Sequence, residues 1–82
     1  MNFTIEELEH LCFVTRVDLN GTRSTLEDTK QSLKECRKNK EAQWLIDEHS
    51  SFRDHLKIRV KKEQALLTKL ENQFISQGGT LE

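Results

Sequence analysis

The chain has 82 residues, 13 basic and 14 acidic, for a net charge of -1. One domain is the ceiling at that length, and a near-neutral chain has no bulk attraction to nucleic acid or an acidic membrane. With 33% charged residues, three Gly and no Pro, the chain lacks the turn chemistry of a strand-rich fold and reads as all-α.

The N-terminal stretch "MNFTIEELEH" carries no basic run ahead of an apolar one, so it does not read as a signal peptide. The apolar runs are too short to span a bilayer, and a cytoplasmic protein without membrane contact is expected. Thr4-Ile5-Glu6-Glu7 is a capping box, in which Thr4 and Glu7 satisfy each other's amides. Phe3 and Leu8 flank it as a hydrophobic staple, so a helix starts at Thr4.

From that start Ile5, Cys12, Leu19, Leu26 and Leu33 recur every seven residues. Leu8, Thr15, Thr22, Thr29 and Cys36 follow three behind them. This is the seam of a coiled-coil-like helix, and it passes Gly21 without losing phase. A Gly in a helix costs only about 1 kcal/mol, so the helix is expected to run from Thr4 to Lys38. The rival is a kink or break at Asn20-Gly21 that would give three helices.

Beyond Cys36 that count meets only polar residues. Asn39, a residue that tolerates the left-handed conformation, marks a turn over residues 38–41. A second seam then reads Ala42, Leu45, His49, Phe52, Leu56, Val60, Glu63, Leu67, Leu70 and Phe74, with a double step of four at Phe52-Leu56-Val60. The second helix is expected over residues 41–77. A long antiparallel two-helix hairpin over 1–77 follows, with a flexible tail at 78–82 in which Leu81-Glu82 are native or a cloning remnant. Five charge pairs support a turn centred near Asn39: Arg37 with Glu41, Lys30 with Glu48, Arg23 with Asp54, Arg16 with Glu63, and Glu9 with Lys69.

A two-helix hairpin buries one narrow seam and rarely stands alone. Surplus apolar residues therefore suggest an interface. His10, Phe13, Val14, Val17 and Gly21 form a stripe on the far side of the first helix, flanked by Leu11. Ile58, Ala65, Leu66 and Ile75 lie beside or outside the second seam. Leu11, Phe13, Val14, Val17, Gly21, Ile58 and Leu66 are the expected partner or oligomer interface. The alternative is that the stripe packs under a folded-back part of the same chain. Trp44, beside the turn, either caps the core there or serves a partner.

The stretch "RDHLKIRVKK" over 53–62 gathers Arg53, Lys57, Arg59, Lys61 and Lys62 against Asp54. Arg53, Lys57, Arg59 and Lys61 are the candidate contacts to an anionic ligand, nucleotide or nucleic acid, against the plainer reading of a solvated helix flank. Cys12 and Cys36 lie about 36 Å apart on a continuous helix and cannot bond within one chain. His10, His49 and His55 have no zinc spacing, and Ser50, Ser51 and His55 lack an orienting acid. No catalytic, metal or cofactor site is read.

"FTIEELEHL", the charged heptads and the closing "LLTKLENQF" together resemble the style of small helical proteins encoded by phages and prophages. That resemblance implies a non-enzymatic module that self-associates and binds another macromolecule, such as an inhibitor of host defence or an adaptor. The alternative it implies is a helical oligomer that sequesters a nucleotide-like anion.

Overall fold

The computed structural model describes residues 3–80. Leu81-Glu82 lie outside them. Two helices, α1 (Ile5–Lys38) and α2 (Gln43–Ser76), pack antiparallel as an all-α hairpin. The molecule measures 54 × 24 × 13 Å, and a 34-residue helix accounts for the long dimension at about 1.5 Å per residue.

The start of α1 is the expected box. The Glu7 amide donates to the Thr4 hydroxyl at 3.1 Å, and the Thr4 amide donates to the Glu7 carboxylate at 2.9 Å. The helix then runs unbroken through Gly21, so the three-helix alternative is excluded. Leu19 and Thr22 are buried on either side of that glycine and hold the seam in phase. Gly21 itself faces outward, where an added Cβ would meet nothing within 4 Å.

Along α1 the buried residues are Leu8, Cys12, Thr15, Leu19, Thr22, Leu26, Thr29 and Leu33. The seam departs from expectation only at its ends, where Ile5 is exposed and Cys36 is half-buried. Each buried leucine contributes about 1.5–3 kcal/mol. Two of the buried threonines, Thr22 and Thr29, stay compatible with the helix because their hydroxyls find acceptors. Thr29 donates to the Thr25 carbonyl at 2.8 Å. Thr22 reaches the Asp18 carbonyl at 2.9 Å and the Glu63 carboxylate of α2 at 3.0 Å. Its single proton serves one acceptor at a time, and the charged carboxylate is the stronger.

On α2 the phase differs from the sequence reading. Half-buried Leu45, Ser50, Gln64 and Glu71 border a seam of Ile46, His49, Arg53, Leu56, Val60, Glu63, Leu67, Leu70 and Phe74, all buried or half-buried. These keep a strict alternation of three and four, so the double step at Phe52 disappears. Arg53 takes the core position, with its side chain 24% exposed, and Phe52 is displaced to the flank at 48%. Ala42 is not in the seam either. It is the exposed N-cap of α2 and offers no side-chain hydrogen bond.

Both helices stop in the same way. After α1, Lys40 N–H donates to the Arg37 carbonyl at 3.3 Å and Glu41 N–H to the Cys36 carbonyl at 3.0 Å. After α2, Gly78 N–H donates to Ile75 and Gly79 N–H to Phe74, each at 2.9 Å. This is the Schellman pattern, which needs a left-handed residue just past the helix. Gly78 supplies it at φ +93°, and in the first turn Lys40 does so at φ +53°. Asn39, the residue expected there, has φ -85°. The expected tail therefore begins with a helix stop, and Gly79 lies against the Phe74 ring so closely that a Cβ would meet it at 2.5 Å.

The register is corrected as well. Arg16 pairs with Glu71 at 3.3 Å, not with Glu63. Arg23 donates to Gln64 at 2.8 Å, not to Asp54. Lys30 pairs within its own helix, to Glu27 at 3.3 Å. Neither Arg37–Glu41 nor Glu9–Lys69 forms an ion pair among the described residues. Facing residues of α2 thus lie roughly two to three turns further along than the charge ladder indicated. α2 starts at Gln43, two residues later than expected.

Candidate functional site

The hairpin has two flanks, set by which residues border the seam. One flank carries Arg16, Arg23, Lys30 and Arg37 of α1, each four residues after a core position, opposite Ser50, Lys57, Gln64 and Glu71 of α2. The contacts Arg16–Glu71 and Arg23–Gln64 close it at the open end of the hairpin. Towards the turn, among the described residues, no α2 acid pairs with the α1 cations. Lys30, Lys34, Arg37 and Arg53 there surround a cleft of about 180 Å³ over Leu33.

The opposite flank is open, and its groove is as polar as it is apolar. Val17, Gly21 and Thr25 of α1 and Phe52, His55 and Arg59 of α2 line a groove along it. Phe52 and Leu66 occupy the same heptad position one on either side of Arg59, so both border this groove side of α2. Arg59 is held by Glu63 of its own helix at 2.6 Å, which keeps its charge beside the seam.

The expected interface residues divide accordingly. Val14, Val17, Gly21, Ile58 and Leu66 are exposed on or behind the open flank. Phe13 is exposed at 61% on the back of α1, and no folded-back segment among the described residues covers it. Leu11 is different: it is half-buried and packs against the core cluster of Leu8, Cys12, Leu19, Leu67, Leu70 and Phe74. The sequence reading missed Phe52, whose hydrophobicity had placed it in the core. Trp44 does not cap the turn end but stands 65% exposed.

The four cations read as an anion site do not converge. Arg53 points into the basic cleft, Arg59 lines the groove on the opposite flank, and Lys57 and Lys61 are exposed beside α2. Arg53 instead meets three cations of α1. Finding them from sequence requires the true register of the two helices.

Neither cysteine is bonded. Burial, and next the Glu71 carboxylate, push the Cys12 thiol above its ordinary range, against a smaller opposing effect of Arg16. Cys12 is thus an inert core thiol. Among the described residues, no three His, Cys, Asp or Glu side chains gather to hold a metal, and no helix is long and apolar enough to cross a membrane. No protein-family model, curated protein or solved structure matches the chain.

Proposed function

We propose that this chain is a non-enzymatic helical interaction module that self-associates through its open flank and, once assembled, engages a protein partner. The observation that carries the reading is the groove where Val17, Gly21 and Phe52 lie exposed together, with Leu66 exposed two turns beyond Arg59 on the same side of α2. Leaving several large side chains in water forgoes roughly 1.5–3 kcal/mol for each one that burial would return. A second hairpin laid on the same flank would bury both sets at once and complete a four-helix bundle. Gly21 suits that geometry, because its missing side chain lets a second helix come close. Trp44, outside the groove at the turn end, supplies an aromatic anchor of the kind that dominates protein interfaces.

Molar mass in solution tests this. The native chain should have a multiple of 9.6 kDa by light scattering. Val17→Glu with Leu66→Glu should give the monomer mass with helical circular dichroism retained, since both side chains lie outside the seam. A monomeric native chain, or a double variant of unchanged mass, overturns the reading.

A further inference from the structure

The basic cleft beside the turn lies on the other flank from the proposed interface and stands on different residues. Its floor is Leu33, which is buried. Its walls are Lys30, Lys34 and Arg37, successive along one face of α1, and Arg53 from the seam of α2. Among the described residues, two carboxylates pair with these four cations: Glu27 with Lys30 at 3.3 Å and Asp54 with Arg53 at 3.1 Å. Lys34 and Arg37 form no ion pair among the described residues. Like charges gathered around a half-enclosed space repel, and in a coiled-coil seam an arginine displaces apolar packing. The phase of α2 nevertheless turns Arg53 inward and leaves the neighbouring Phe52 in water.

We propose that this cleft binds a compact, multiply charged phosphate group. Two guanidinium forks and two ammonium groups suit phosphate oxygens, which accept bidentate bonds from arginine and point-charge contacts from lysine. The cleft has a volume of about 180 Å³ and opens to solvent. That admits a short phosphate chain and leaves any sugar or base outside. A nucleic-acid strand fits less well, because the same flank carries Glu71 further along and gives no continuous basic track.

Titration with inorganic tripolyphosphate at constant ionic strength tests the site, read by thermal melting and calorimetry. Ligand at ten times its Kd should raise Tm by about 5–10 °C. Lys34→Gln with Arg37→Gln, both exposed and outside the seam, should abolish the shift. Lys61→Gln with Lys62→Gln removes equal charge elsewhere and should leave it intact. Because the cleft belongs to one chain, the shift should also survive Val17→Glu with Leu66→Glu, so its failure is separate from that of self-association. A nucleoside triphosphate that binds tighter than tripolyphosphate would place the phosphate on a nucleotide; equal affinity would mean that phosphate alone is read. No shift with either ligand, or equal loss in both pairs of glutamine variants, overturns the proposal.

Discussion

Glu7 ties the start of α1 to pH through a single carboxylate. The Thr4 backbone hydrogen bond, and next the Thr4 side chain, hold its carboxyl below the usual glutamate range. A lowered value in the folded chain means stabilisation that is fully present above the ordinary glutamate range. It is lost as pH falls through the lowered value, because protonation removes the charged acceptor. The protection factors of the amides at residues 4–8, which remove the intrinsic pH dependence of exchange, should therefore fall on acidification. Glu7→Gln keeps a capping side chain without a titrating charge, so the protection factors there should become insensitive to pH between about 3 and 6. Unchanged acid sensitivity in that variant would locate the titrating group elsewhere. The box was legible in sequence because all of its partners lie within four residues. Arg53 was not, since its inward position depends on the phase of the whole of α2.

At the scale of the element, local signals and long-range ones had different fates. The α1 seam was readable, threonines included, because its seven-residue period held through Gly21, even with Leu11, Phe13 and Val14 beside it. On α2, Phe52 outweighed Arg53 as an apolar choice and pulled the count off by one. Surface charge pairs were a poor guide to register, because each contributes only about 0–1 kcal/mol and the seam fixes the register instead. The turn was placed correctly to within a few residues, but its left-handed residue is Lys40, for which no sequence rule argues. A non-glycine residue in that conformation costs about 1–2 kcal/mol. Lys40→Gly removes that cost and adds some chain entropy to the unfolded state. The net gain should be about 0.5–1 kcal/mol, read as a higher urea midpoint with unchanged slope. A lower midpoint would mean that the Lys40 side chain contributes more than its backbone costs.

At the scale of the molecule, the two flanks make opposite demands on one narrow seam. The open flank leaves Phe52 in water, and the basic flank keeps Arg53 in a seam position that a leucine would fill. Both features follow from the same one-residue choice of phase on α2, so stability and binding are coupled through it. Arg53→Leu would pack against the seam around Leu33 and relieve the crowding of four cations. Burying that side chain should contribute about 1–2 kcal/mol, which for a chain of this length raises Tm by roughly 4–10 °C. The same variant should lose tripolyphosphate binding, because the cleft would keep cations on only one of its two helices. A variant that is both more stable and unable to bind would identify Arg53 as a residue held at the expense of folding. If Arg53→Leu instead lowers Tm with no ligand present, the arginine stabilises the hairpin through Asp54 and its own aliphatic stem, and the coupling between the flanks fails.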